Sequence, residues 1–263
     1  MCIFLIFKIF NIFMINKCLI YGNLNICNFF EINGIIRYYS NIYDEVYVVS
    51  KNNYYDSACN IFLDNKRIII LSLDIQDEII PNNHYIFDLY KDIDNINLNL
   101  ENDIDNIMFF AKNYYNKINL DYNLRYKYEK INRNNIFENK FYDKVMKKYN
   151  NSYIFINDYT NLNYQKITIH SKLPIYHPKV NYYNDNTYSK FYDYWCNESS
   201  DNILDYCKIL ENAYEIHLVY NDFFCLANFL NLSNVKNKYI YTDLVNIKDY
   251  YENIKDWKVI FVN

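Results

Sequence analysis

The chain has few of the residues that interrupt regular structure: among 263 residues there are 2 Gly and 3 Pro. So little glycine rules out the glycine-rich phosphate loops, and neither G-x-G-x-x-G nor a P-loop can be written. The G-x-S-x-G elbow, the H-E-x-x-H helix and the kinase signatures are also absent, which removes the common hydrolase and P-loop readings. Seven cysteines, Cys2, Cys18, Cys27, Cys59, Cys196, Cys207 and Cys225, are odd in number and never spaced C-x-x-C. That speaks against a disulfide scaffold and a zinc site, and for reduced thiols in a cytoplasmic protein. The net charge is −4, the isoelectric point is near 5.6, and no basic block accompanies the aromatics. The footprint of a nucleic-acid-binding surface is therefore missing.

Long hydrophobic runs are scarce as well. Ile3 to Ile15 is apolar but about 13 residues long, with Lys8 and Asn11 inside it. A spanning helix needs about 20, and Asn16-Lys17-Cys18 is a poor signal-peptide cleavage site. Residues 1–13 read either as a start-codon extension, with Met14 as a second start, or as a membrane anchor; a membrane location for the protein is not the expectation.

What the chain does contain is 51% hydrophobic and 22% charged residues, a globular composition. The 32 Tyr and 18 Phe come with abundant Asn, Ile and Lys, the residues of AT-rich codons. The tyrosines are thus expected in cores and half-buried surfaces, their hydroxyls reaching water, and not as a stacking platform.

Short β-branched runs alternate with segments of helical spacing. KCLIY (17–21), EVYVVS (45–50) and RIIILSL (67–73) read as strands, with helices expected over 28–43 and 54–63. Residues 81–104 read as an irregular loop with local structure, 105–118 and 134–149 as helices, and 122–131 as a connector. The alternation restarts with strands YIFIN (153–157), ITIH (167–170), EIHLV (215–219), 238–241 and 257–262. Helices are expected over 202–213, capped by Asp201 or Ser200, and over 222–232. This grammar predicts an α/β fold of two Rossmann-like, doubly wound lobes facing a cleft: residues 14–125 and 150–263.

In such sheets ligands bind beyond the carboxyl ends of the strands. Two turns occupy that position. Gly22, Asn23 and Asn25 follow the first strand; Gly22 is expected to use a positive φ, or simply to permit a tight turn, and the next amides to face an anion. Tyr220, Asn221 and Asp222 follow EIHLV, where helix-start amides would suit a diphosphate, with Asp222 as the alternative helix cap. Asn157 and Asp158 end a neighbouring strand. His170 and His177 leave the second lobe's strands, Lys166 and Lys172 are the nearby cations, and His217 reads as a packed core histidine. No metal-ligand pattern is present.

Several of these phrases, taken together, resemble a known group. They are CLIYGN (18–23) through GIIRYY (34–39), YDEVYVVSKNNY (43–54), YIFIND (153–158) and ILDYCKILENAYEIH (203–217) with the helix at Phe223-Phe224. They are similar to GT-B glycosyltransferase-like proteins of large DNA viruses and marine bacteria, distantly related to fucosyltransferases and heptosyltransferases. The resemblance implies transfer of a sugar from a nucleotide-sugar donor to a glycan acceptor, commonly without a bound metal or other cofactor. It also implies the donor on the second lobe (Asn157, Asp158, Tyr220, Asn221, Asp222) and the acceptor near Gly22, Asn23 and Asn25. Two departures stand out: only one glycine remains in the first turn, and Asn221-Asp222 replaces serine in the other. The remaining alternatives are an inactive nucleotide- or glycan-binding module and a partner-binding protein that keeps the fold.

Because the first strand begins at Lys17, a chain starting at Met14 is expected to stay soluble with an unchanged thermal unfolding midpoint. Loss of cooperative melting would show that residues 1–13 belong to the core.

Overall fold

The computed structural model describes residues 15–22, 24–73, 93–99, 111–149, 152–158, 167, 169, 171–178, 200, 202–242 and 256–262. The chain divides after Lys130 into two compact units. The expected strand segment 167–170 lies partly, and Asn23, Lys166, His170 and Asp201 wholly, outside the described residues.

The first unit holds β1 (Lys17–Tyr21), α1 (Ile26–Glu31), α2 (Asn33–Tyr39), β2 (Glu45–Lys51), α3 (Tyr55–Phe62), β3 (Ile68–Leu73), β4 (Asp94–Asn97), α4 (Ala111–Lys117) and α5 (Leu124–Tyr128). Its sheet runs β3-β2-β1-β4 with every pairing parallel. Strand alternation sends Cys18, Ile20, Val46, Val48, Ile68 and Ile70 to one face and Leu19, Tyr21 and Val49 to the other, all buried. Burial on both faces is what parallel strands require. It also pushes the Cys18 thiol up to about 12, which keeps it protonated.

One expectation is corrected here and another made specific. The helix over 28–43 is two short helices separated by Ile32 (φ −93°, ψ 6°), where Asn33 and Gly34 weaken helix propensity. The loop over 81–104 contains β4, whose sequence DNIN buries only Ile96 among its four residues and so carries no strand periodicity. Tertiary contacts hold it: β4 pairs with β1, and the Tyr43 hydroxyl donates to Asp94 at 2.6 Å.

Buried polar groups fasten the helices. Arg37, 6% exposed, donates to Asn33, to both Asp64 carboxylate oxygens and to the Ile61 and Lys130 carbonyls, and lies 5.3 Å over the Phe62 ring. The Lys130 amide donates to Asn33 at 2.9 Å and its ammonium to Asp64 at 2.7 Å, so the end of the unit is tied to α2 and α3.

The second unit holds α6 (Asn135–Tyr149), β5 (Ile154–Asn157), β6 (Ile175–Tyr176), a 3₁₀ turn (Ile203–Tyr206), α7 (Cys207–Glu211), β7 (Glu215–Val219), α8 (Asp222–Ala227), β8 (Asn237–Thr242) and β9 (Lys258–Phe261). The sheet order is β6-β5-β7-β8-β9, again parallel throughout. The strand that pairs outside β5 is β6, not the expected 167–170, and Ile167 and Ile169 are not in a strand. The two residues of β6, in the stretch between Pro174 and Pro178, are too few to show a period, yet the Pro174 carbonyl accepts the Ile154 amide at 3.0 Å. The segment over 202–213 begins as a 3₁₀ turn capped by Asn202, whose side chain accepts the Leu204 amide, and not by Ser200. Arg133 grips Glu138 and Glu211 at 2.6–2.8 Å, bridging α6 and α7. Glu138 is 2% exposed, so losing Arg133 would leave a buried carboxyl group without its ion-pair partner.

Gly34 sits where α2 meets α5. A Cβ there would stand 2.8 Å from the Arg125 Cα and collide with the Tyr115 hydroxyl. Gly34→Ala is expected to cost roughly 1–3 kcal/mol of stability through overpacking. Gly22→Ala, whose Cβ would meet Leu98 and Leu24 at 3.2–3.3 Å, should cost less. Denaturant midpoints of the two variants check the order; equal midpoints would contradict it.

Candidate functional site

Both sheets share one topological feature. The first three strands of unit one add outward from β1, and β4 then returns to its other side. In unit two β6 adds to one side of β5 and β7 returns to the other. Each return creates a switch point, where the connections leave in opposite directions and open a crevice beyond the carboxyl ends of the strands.

In unit one that crevice lies beyond β1 and β4, at Gly22. The glycine does not have the expected positive φ: neither glycine of the chain does. What it supplies is close approach, with the Leu98 backbone and side chain packed against it and the Leu98 amide bonded to the Tyr21 carbonyl at 2.8 Å. The amides expected to face an anion are largely bonded within the turn. Leu24 N–H donates to the Gly22 carbonyl, and Asn25 and Asn28 form a reciprocal capping box at 2.9 and 3.0 Å. Asn25 therefore acts as the cap of α1. This turn is packed and internally satisfied.

In unit two the switch point lies between β5 and β7, and the residues there are polar. Asn157 ends β5 and is 3% exposed; Asn221 follows β7 and is 8% exposed. The Asn221 side-chain amide nitrogen donates to the Asn157 side-chain oxygen across the switch point. Its own oxygen accepts the Phe223 and Phe224 amides at 3.0 and 3.1 Å, and its carbonyl accepts Cys225 at 3.0 Å. Asn221, not Asp222, is thus the cap of α8, and it occupies two of the amides expected to face a diphosphate, those of Phe223 and Phe224. Asp222 begins the helix, buried at 7%. Tyr220 packs its ring 5.7 Å from Phe224. Phe223 packs on Phe155 and Tyr206, and Phe224 on Trp257, so both rings hold α8 in place.

A second polar pair sits at the same edge. Asp158, directly after β5, is fully buried; it accepts the Ile167 amide at 3.2 Å and meets His177 Nε2 at 2.8 Å. His177 directly follows β6 and is itself 5% exposed. Because β6 and β5 are adjacent parallel strands, their ends bring the two side chains together. Strand alternation puts this pair toward one face of the sheet and Asn157 toward the other, so the two pairs straddle the edge. The sequence places His177 on a loop that leaves a strand of the second lobe, within reach of a cleft, but gives it no partner. The signal that could have marked it is a histidine and an aspartate each directly after a strand, which becomes meaningful once β6 is known to exist.

The remaining candidates lie elsewhere. Lys172 is exposed. His217 is mid-strand, stacked 4.4 Å from Tyr239 and bonded to the Tyr241 hydroxyl at 2.9 Å; burial pushes its imidazole below its ordinary value, partly countered by Glu215. It is the packed histidine the sequence suggests. Among the described residues no group of three or more His, Cys, Asp or Glu could hold a metal ion, and no helix is long and apolar enough to cross a membrane.

The chain is similar in structure to the glycosyl transferase family 9 protein from Veillonella parvula DSM 2008, with a TM-score of 0.52 over 94% of this chain and 85% of that one. Sequence identity is 7%, so the likeness is one of fold. No family model matches the sequence, and no curated protein matches it.

The double role of Asn221 is testable. Asn221→Ala removes both the cap and the Asn157 partner and is expected to cost roughly 2 kcal/mol. Asn221→Asp keeps the capping oxygen and should cost less. Thermal or urea unfolding of the two variants measures the difference, and two unchanged midpoints would refute this account of the cap.

Proposed function

We propose that the protein is a glycosyltransferase that moves a sugar from a nucleotide-sugar donor to an acceptor glycan, each of its two units corresponding to one lobe of a GT-B enzyme. The donor belongs to the second unit, at the switch point between β5 and β7; the acceptor belongs to the first. The observation that carries this reading is the contrast between the two switch points. One is filled by Leu98 against Gly22, and the other is lined by Asn157, Asp158, His177, Asn221 and Asp222. Buried polar side chains are costly unless they are bonded, and here they gather where an open parallel sheet binds ligands. The fold likeness to a glycosyl transferase family 9 protein, over nearly the whole chain, supports the same reading.

The chemistry follows from what the edge offers. Transfer from a nucleotide-sugar breaks the bond from the anomeric carbon to the diphosphate oxygen and forms one to an acceptor oxygen. The protein's task at the donor is to hold the leaving diphosphate with pre-placed hydrogen-bond donors. Since Asn221 occupies the Phe223 and Phe224 amides, side chains at the edge take a large part in this. Asp222 opposes an anion, so Asp222→Ser should leave nucleotide affinity unchanged or raise it. Asn221→Asp, which adds a second carboxylate beside it, should lower it.

One observation favours a second reading. The filled amides of α8 suit a module that binds a nucleotide or glycan without turnover. Thermal-shift screening against nucleoside diphosphates and nucleotide-sugars tests both, since a ligand at 100 times its Kd stabilises by about 2.7 kcal/mol. A stabilising nucleotide-sugar that is also consumed when glycan acceptors are supplied is the expected result. Binding without consumption selects the module, and no stabilisation by any nucleotide overturns both.

A further inference from the structure

We infer that the outer face of α6 is a contact surface for an anionic lipid bilayer. Glu138, Phe141, Val145 and Met146 are buried and lie on one side of this helix. The opposite side carries Ile136, Phe137, Lys140, Lys144, Lys147 and Lys148, all exposed, within about a third of the helix circumference. The helix holds two acids, and neither lies inside that arc. Glu138 is on the buried side, gripped by Arg133, and Asp143 stands at the margin.

Single exposed apolar side chains are ordinary, but an adjacent pair at the tip of a lysine row is not. Ile136, 80% exposed, is the most exposed large hydrophobic among the described residues, and Phe137 beside it is 58% exposed. The turn that presents them is held: the Phe137 amide donates to the Asn134 side chain at 3.4 Å, and the Lys208 ammonium of α7 donates to Asn139 at 2.7 Å.

Charge complementarity selects the partner. The whole chain carries a net charge of −4, so an anionic surface repels it in most orientations and favours the one that presents this face. Lysine ammonium groups meet lipid phosphates while their methylene stems stay against the apolar boundary. Ile136 and Phe137 gain by leaving water at the headgroup level, an apolar refuge that a nucleic-acid backbone does not offer. Such a contact requires no spanning helix.

Vesicle flotation of the full chain tests this. Vesicles of equal parts phosphatidylcholine and phosphatidylglycerol should carry the protein, less so as salt rises, and vesicles of phosphatidylcholine alone should not. A lysine near an anionic surface is worth about fivefold in affinity, so Lys140→Glu with Lys147→Glu should weaken binding about twentyfold or more. Ile136→Ser with Phe137→Ser should weaken it about tenfold or more, through the lost apolar burial. All four side chains are exposed, so the unfolding midpoints of both variants should match the wild type. Phe137→Trp should add an indole emission that moves to shorter wavelength on the anionic vesicles. Absence of binding, equal binding to both vesicles, an unchanged affinity in either double variant, or an indole that does not shift overturns the inference. So does binding of a DNA oligonucleotide that depends on the lysines and not on Ile136 and Phe137, which would mark a general polyanion surface. None of these results bears on the donor reading, which concerns the ends of β5 and β7.

Discussion

The second unit depends on one side chain amide. Asn221 uses its oxygen to close the first turn of α8 and its nitrogen to reach Asn157 across the switch point. Without that oxygen the Phe223 and Phe224 amides would be buried donors without their cap; without that nitrogen the end of β5 would lose its link to the end of β7. A short helix of six residues gains little from its own hydrogen bonds. It stays in place because a cap fixes its start and two aromatic rings pack it between β5, the 3₁₀ turn and Trp257. The geometry of the candidate donor edge is inherited from this arrangement.

The first unit solves the same problem with charge. Arg37 has its guanidinium spread over two carboxylate oxygens, two carbonyls and an amide oxygen, and the Phe62 ring lies beneath it. Such a cation is tolerated in the interior because nearly every donor is matched. In return, the end of α3, the start of α2 and the residue that closes the unit are held in one place. Gly34 adds the steric condition, letting α2 approach α5 closely enough for the Arg125 backbone to lie against it. Arg133 plays the part of Arg37 in the second unit, between Glu138 and Glu211.

The two units therefore share a parallel sheet with one switch point and differ in what fills it. Apolar packing against a glycine closes one; polar pairs line the other. That asymmetry supports the proposal of different ligands for the two halves, and with the Phe223 and Phe224 amides taken by Asn221 it shifts weight to the side chains at the second switch point. An imidazole oriented by a buried carboxylate is a defined hydrogen-bonding group, whereas a lone histidine on a loop is not.

The sequence by itself determined the class of fold, because β-branched runs and helical spacing alternate strongly enough to require parallel strands with crossovers: Lys17–Tyr21, Glu45–Lys51 and Glu215–Val219 are all legible from their side chains alone. It also placed Asn157, Asp158 and Asn221 at one edge, since strand direction fixes where carboxyl ends lie. The tertiary structure decided what periodicity cannot carry. Strand β4 is polar and exists because β1 offers it an edge, and β6 is two residues between prolines. The helix cap fell to Asn221 and not Asp222, a choice between adjacent residues that turns on which side chain folds back over the first turn. Gly22 proved to be a matter of contact with Leu98, distant in sequence, and not of φ. Without β6, His177 had no neighbour; the pairing with Asp158 became visible only when the strand register brought their ends side by side.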